Sequence, residues 1–388
     1  MAIDNLTGFE SGASGELQGT GGTFSIQTTV KKTGDYALRV NPTTTATGQV
    51  NIGTINANGI LATDALSTVY MGFWFRYATK PAANDEIIAG MFGSLADTKG
   101  ELRINSAGNL VHYNKTPTLV ATGGTALVVD TWYYIEYQVV NSATGAYDVR
   151  INGTTEISGT ADHGTGDTVY IQLGKNPNRN GNTVDFYYDD WYVDTAAFHA
   201  TTTIFQGITR HNPNGAGASA GWTNGTGTTF AEVDEVPPES DGADLTYIQA
   251  SATEDNTYHT LAVQSTTDKS VIGTVKAVKA YVWAKTGSTT GTSAVSPRIR
   301  NAGTNLDKTQ AEMTTAYRGH HILTETDPAT SAAWTAGGVD TVEVGMVAGT
   351  LAQTQRFSAA YIFVMAGDAA PPAPTGVAYR RTLLGVGP

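Results

Sequence analysis

Asp185, Asp189, Asp190 and Asp194 form the densest acidic group in the chain. Clustered carboxylate and carbonyl oxygens suit a hard cation, which makes Asp185, Asp189 and Asp190 the candidates for a calcium site. Their spacing lacks the alternating aspartates and glycine turn of a calcium-binding loop, so solvated positions at a sheet edge are the competing reading. Seven histidines are dispersed along the chain, and only His320 and His321 are adjacent. Neighbouring strand residues point to opposite faces, so one metal could not take both. The chain has no cysteine, which excludes disulfides, thiolate metal sites and cysteine nucleophiles. Neither a Gly-x-Ser-x-Gly elbow nor a phosphate-cradling glycine loop is present, and no cofactor is expected.

A second constellation suits binding better than catalysis. Sugar rings stack their C–H faces on aromatic rings, while amides and carboxylates take the hydroxyl hydrogen bonds. Trp74, Arg76, Glu136, Gln138, Arg150, Tyr187 and Asp189 are the residues that strand alternation could gather on one face, as a candidate glycan site. The alternative is that Trp74 and Trp132 belong to a core, because both faces of a curved sheet can be covered.

The elements that must position these residues are strands. In Thr68–Tyr77, Val69, Met71, Phe73 and Phe75 alternate with Tyr70, Trp74 and Arg76. Thr131–Val140 repeats the pattern. Tyr147, Val149 and Ile151 follow in a hairpin strand that ends at Asn152-Gly153, a dipeptide tolerant of positive φ. Thr183–Val193 is a further long strand. A second series comprises Leu245–Ala250, Tyr258–Val263, Val275–Ala284 and Tyr361–Met365, and Lys276–Ala284 reads as half-buried. Charged residues are only 15% of the chain and glycines number 44, a composition of short strands and many turns. The expected class is all-β: two tandem β-sandwich or jelly-roll domains, 1–203 and 204–368, and a Pro-rich linker and C-terminal arm, 369–388. In that arm Arg380, Arg381, Leu383 and Leu384 follow the Ala-Pro run as a candidate anchor, with a disordered tail as the alternative.

The first half resembles the concanavalin A-like (laminin G-like) jelly-roll superfamily. The resemblance rests on Gly8-Phe9-Glu10, Thr33 to Arg39, Trp132 to Glu136, Asp148 to Gly153 and Asp189 to Val193. It implies a jelly roll over most of residues 1 to 200, and domains of this kind often hold sugars. Some are glycoside hydrolases with Glu-x-Asp-x-x-Glu on one strand. The nearest string here is Glu232-Val233-Asp234-Glu235-Val236-Pro237, where proline replaces the last carboxylate. It reads as an acidic loop.

The second half resembles a module of tailed-phage structural proteins, through Val233-Asp234-Glu235, Ala243 to Ile248, Asp327-Pro328, Trp334-Thr335, Val339 to Gly345 and the strand at Tyr361. That resemblance implies a non-enzymatic structural or decoration protein on the capsid or tail surface of a phage-like virion. The expected partners are other virion proteins, further copies of the chain in a homo-oligomer, and host glycans. A secreted or surface carbohydrate-binding module and a jelly-roll hydrolase or lyase are the alternatives.

The net charge of −12 and the scattered basic residues argue against nucleic-acid binding. No apolar run approaches a bilayer span, so membrane insertion is not expected. The start lacks a basic and an apolar segment, which predicts no signal peptide and synthesis in a host cytoplasm.

Overall fold

A computed structural model of the chain describes residues 3–12, 18–22, 24–41, 48–54, 66–94, 97–175, 183–200, 206–224, 233–236, 246–250, 257–271, 273–287, 294–308, 311–349 and 354–367. The expected boundary at residue 203 and the C-terminal arm with Arg380, Arg381, Leu383 and Leu384 lie outside the described residues.

Alternating β-branched and aromatic residues fold these segments into four antiparallel sheets. Strands up to Asp194 make an eight-stranded and a seven-stranded sheet. Those from Gln206 onward make two six-stranded sheets. The eight-stranded sheet runs Thr154–Ala161, Gly145–Ile151, Tyr133–Val140, Thr68–Thr79, Asp185–Asp194, Ala37–Val40 and Phe24–Gln27, with Ile3–Thr7 also pairing with Asp185–Asp194. We call it the contact sheet, because it packs on the second half of the chain. Its partner, the far sheet, runs Leu119–Ala126, Asn109–Tyr113, Asp97–Ile104, Glu86–Ser94, Tyr170–Lys175, Gly48–Thr54 and Gln18–Gly22. The hairpin turn at Asn152-Gly153 has φ of 51° and 74°, the left-handed pair that a two-residue turn requires.

Three hydrophobic cores follow from the layering. Val69, Met71, Phe73 and Phe75 enter the first, between contact and far sheets, opposite Ile88, Leu102 and Ile171. Each such side chain contributes about 2 to 3 kcal/mol on burial. The second core lies between the two six-stranded sheets and gathers Val278, Val282, Val344 and Phe357. A third core joins the two sandwiches. There Ile3, Leu6, Trp74, Tyr134 and Tyr192 meet Ile208, Ala277, Tyr281, Tyr361 and Phe363. Lys276–Ala284 is therefore not half-buried as its alternation suggests. Its even positions from Val278 fill the second core, and Ala277 and Tyr281 fill the third.

Short-range chemistry closes the remaining turns. One helical turn, Ala336–Val339, is capped by the Thr335 side chain, which accepts from the Gly338 N–H. Among the described residues no helix is long and apolar enough to cross a membrane.

Candidate functional site

The face nominated from alternation is the outer face of the contact sheet, and the chain itself occupies it. Trp74 is 7% exposed and lies in the third core, with the Lys32 ammonium 4.2 Å from its ring centroid. Gly72 on the same strand leaves the space that the Tyr192 ring fills; a Cβ there would sit 2.2 Å from it. Buried Glu136 accepts from the Tyr192 hydroxyl at 2.6 Å and from the backbone N–H groups of His199 and Ala200, both at 2.9 Å. Those bonds strap the connecting segment 195–200 across the sheet. Phe198 of this strap packs edge-on to Tyr70 at 5.1 Å, and the Arg150 guanidinium lies 4.2 Å from its centroid. His199 Nε2 meets Asp194 at 2.7 Å.

The remaining nominated residues are committed as well. Gln138 donates to the Tyr70 hydroxyl at 2.9 Å, Arg150 to Asp148 at 3.0 Å and Arg76 to Asp130 at 2.6 Å. Tyr187 is buried between Arg39 and Arg76 and donates to Asp185 at 3.1 Å. Of these seven residues, then, Trp74 and Glu136 are covered by other parts of the chain, and Arg76, Gln138, Arg150, Tyr187 and Asp189 each have a protein partner. The physical reason is that the polar residues of a sheet face can satisfy one another and a covering segment as readily as a ligand.

The aspartates are likewise tied to protein groups. Asp185 holds Arg39 through two bonds of 2.8 Å. Asp189, fully buried, accepts from the N–H groups of Lys32 at 2.8 Å and Thr33 at 3.1 Å. Asp190, at φ 47°, accepts from the Thr33 hydroxyl at 2.7 Å and the Ile208 N–H at 2.8 Å, which bridges the two sandwiches. Beside them buried Glu10 accepts from the N–H groups of Asp35 and Tyr36. Burial pushes the Glu10 carboxyl up to about 7, with Asp190 nearby adding to it. Burial and the neighbouring Asp190 raise Asp189 well above the carboxylate range. Among the described residues no group of three or more His, Cys, Asp or Glu is arranged to hold a metal ion.

In the string around Asp234, Glu232 and Pro237 lie outside the described residues. Val233 is fully buried, Asp234 bridges to Ala359, and Glu235 accepts from the Thr246 hydroxyl.

The outer face of the far sheet holds a second polar set, which alternation did not single out. Cross-strand pairing brings Gln172, Gly90, Glu101 and Tyr113 into one row across four strands. Cross-strand partners share a face, so the row is continuous. Gly100, between Glu101 and Lys99, points inward, where a Cβ would press on Tyr137 at 2.6 Å. Arg103 pairs with Glu101 on its own strand through Nε at 2.8 Å and through Nη2. Its guanidinium lies 3.7 Å from the centroid of the Tyr113 ring. Tyr113 donates to Asp85 at 2.6 Å. Flanking the row, Phe92 and Tyr170 stack with centroids 5.0 Å apart and planes at 10°. Phe92 lies over Gly90, where a Cβ would sit 2.5 Å from its ring. Gln172, Glu101 and Arg103 are sunk into the face, whereas Tyr113 and Asp85 are half-exposed, so the row opens at the Tyr113 end.

This row is a planar amide, a carboxylate–guanidinium pair, a phenol and an aromatic stack; the amide donates to the Gly174 carbonyl at 3.0 Å and the stack is buried, so the Tyr113 end is the part that can meet a ligand. Burial, reinforced by the bond to Asp85, pushes the Tyr113 phenol up to about 12. At neutral pH it is therefore an O–H donor and not a base. The signal that could have found the set was present in Lys99-Gly100-Glu101-Leu102-Arg103, where period-two alternation puts Glu101 and Arg103 opposite Leu102. The row itself needed the strand order, which no single segment encodes.

On the inner side of the far sheet a histidine chain is directional. The Val140 carbonyl accepts from His163 Nδ1 at 3.1 Å, so His163 Nε2 is an acceptor. His112 Nε2–H donates to it at 3.1 Å, and His112 Nδ1 accepts from the Tyr137 hydroxyl at 3.0 Å. Both rings are neutral in this arrangement. Burial accordingly lowers His112 to about 3 and lowers His163 as well.

No family model matches the chain, and no curated protein matches it. Among solved structures it is similar to a cellulose-induced protein, Cip1, at 16% identity and TM-score 0.39, over 50% of this chain and 99% of that one. It is similar to an endo-β-1,4-glucuronan lyase from the fungus Trichoderma reesei at 15% identity and TM-score 0.36, over 50% of this chain and 91% of that one. The binding domain of Paraclostridial Mosquitocidal Protein 1 matches at 12% identity and TM-score 0.37, over 68% of this chain and 75% of that one. The all-β sandwich architecture is carried by the four sheets themselves.

Proposed function

We propose that the chain is a non-catalytic glycan-binding structural protein, and that its ligand docks on the outer face of the far sheet. The observation that carries this reading is the half-exposed Tyr113–Asp85 pair at the end of the far-sheet row, with Arg103 stacked on the Tyr113 ring. Tyr113 and Asp85 take sugar hydroxyls at this end, while Gln172, Glu101, Phe92 and Tyr170 lie buried behind them and hold it in place. A phenol held as O–H supports binding over proton abstraction. The resemblance of the second half to tailed-phage structural modules supports display on a virion surface. Many weak sites acting together would then supply avidity.

Titration of the full chain against a panel of oligosaccharides tests the site. Binding that falls about tenfold in Tyr113→Phe is expected, as for removal of a ligand hydrogen bond. An unchanged affinity would remove the far sheet from consideration. The native mass of the full chain, compared with a chain ending at Asp368, tests the assembly. A defined oligomer, or capsid or tail binding lost on truncation, is the expected result, and a monomer with no particle partner would overturn the virion role.

A further inference from the structure

Three carboxylates, Glu10, Asp189 and Asp190, lie at most 1% exposed beneath the turn 32–36, whose Lys32, Gly34 and Asp35 are themselves exposed. Four N–H groups of this turn end on the acids, Lys32 and Thr33 on Asp189, Asp35 and Tyr36 on Glu10, and the Thr33 hydroxyl ends on Asp190. The fit is close, since a Cβ on Gly34 would run into the Glu10 carboxylate. The second sandwich meets the same turn. Lys32 lies over Trp74 of the third core, and Arg210 approaches Asp35 at 3.6 Å, with its guanidinium 5.8 Å from the Tyr36 ring centroid. Asp190 adds the bond from the Ile208 N–H.

We infer that the turn 32–36 is a proton-operated latch on the junction, closed while the acids beneath it hold protons and released as they ionise. Ionising adjacent carboxylates away from water is costly. Lifting the turn hydrates them, and no residue of the turn belongs to the first or second core. The charged groups around the acids are Lys31, Lys32 and Asp35 on the turn side, and Arg210, Lys269 and Asp268 from the second sandwich. Arg210 draws Glu10 toward ionisation, but burial outweighs it, and the carboxyl stays pushed up to about 7. Burial and the neighbouring Asp190 raise Asp189 in the same direction. Because Glu10 is raised from 4.5 in the closed state, closure is strongest at acid pH and weakens as pH rises toward 7. His211, beside Arg210, bonds to the Gln264 carbonyl and the Thr209 hydroxyl of its own sandwich, so lifting the turn leaves those partners in place.

Backbone hydrogen exchange of the full chain, corrected for the intrinsic rate, tests the latch at about pH 6 and about pH 8. The amides of Lys32, Thr33, Asp35, Tyr36 and Ile208 should lose protection on the order of tenfold at the higher pH. At both pH values they should exchange faster than the core amides of Phe73 and Val278. Glu10→Gln keeps an acceptor and cannot ionise, so it should narrow the loss several-fold, with Asp189 retaining a share. Equal protection at the two pH values, or exchange only in step with Phe73 and Val278, overturns the latch, because opening is then global unfolding or does not respond to protons. Turn amides that loosen while Ile208 stays protected overturn it as well, by making the turn a flap of the first sandwich alone. A loss unaltered by Glu10→Gln overturns Glu10 as the trigger.

Discussion

On the contact sheet, Glu136 is held by Tyr192, His199 and Ala200, and its neighbours Gln138 and Arg150 face the strap that carries Phe198. On the far sheet, Glu101 is held by Arg103 two residues along its own strand, and Tyr113 by Asp85. The two outer faces of the first sandwich thus hold similar side chains in buried, hydrogen-bonded rows. Both faces also pair within their own sheet: Gln138 with Tyr70 and Arg150 with Asp148 on the first, Arg103 with Glu101 on the second. They differ in what lies over them. Glu136 is strapped by the connecting segment and Trp74 is covered by the second sandwich, whereas Tyr113 and Asp85 at the end of the far-sheet row are half-exposed.

The largest effect should come from breaking the junction. Tyr361 is fully buried and stacks on Tyr281 with centroids 5.2 Å apart. Tyr361→Ala should cost about 3 to 5 kcal/mol, as aromatic truncation in a core does. Calorimetry should then resolve two transitions where the parent chain shows one, because the sandwiches lose their shared core. A single transition shifted by only a degree or two would mean that the sheets touch without coupling.

A smaller effect, with a defined sign, comes from Glu10. The folded chain holds a proton on this carboxyl up to about pH 7, against 4.5 for the ordinary group. Between those values the folded state binds more protons than the unfolded one, so stability falls as pH rises through that window. The shift is worth on the order of 3 kcal/mol, and Asp189 acts in the same direction. The buried histidines oppose it. His112 is lowered to about 3, and His211 and His259 to about 4, so their contribution is lost as pH falls below 6.5. Urea midpoints measured from pH 4 to 8 should therefore pass through a maximum in the acidic range. Glu10→Gln should make the alkaline arm shallower, with Asp189 keeping part of it, and a curve unchanged by that substitution would exclude Glu10 as a source.

Much of this architecture was legible in the sequence. Val69, Met71, Phe73 and Phe75 are core because their alternation obeys the pleat, and Asn152-Gly153 turns where positive φ is needed. The faces were correctly separated too: Trp74, Glu136 and Gln138 share the outer side. What alternation could not tell is whether an outer side meets water or another sheet. Trp74 reads as an outward residue, and it joins Tyr281 in one core only when two sandwiches are stacked. The far-sheet row escaped for a related reason. Gln172 and Tyr113 are distant in sequence and become neighbours through Glu86–Ser94 and Asp97–Ile104, whose order is a property of the fold. Glycine hid the row further, since Gly90 contributes room for Phe92 and no side chain of its own.

The smallest effect is the one that discriminates most sharply between the faces. Gln138 is half-buried, and its amide donates to Tyr70 on the contact sheet. Gln138→Ala removes one side-chain hydrogen bond from a site that stays partly wet, a cost of about 1 kcal/mol or less. Its glycan affinity should equal that of the parent chain, while Tyr113→Phe loses about tenfold. Each substitution removes one part-exposed hydrogen-bonding group, and they differ in which outer face they touch. If Gln138→Ala weakens binding and Tyr113→Phe does not, the ligand lies along the strap at Phe198 and not on the far sheet. The junction would then have to open for binding, and Tyr361→Ala, which loosens it, should raise the affinity.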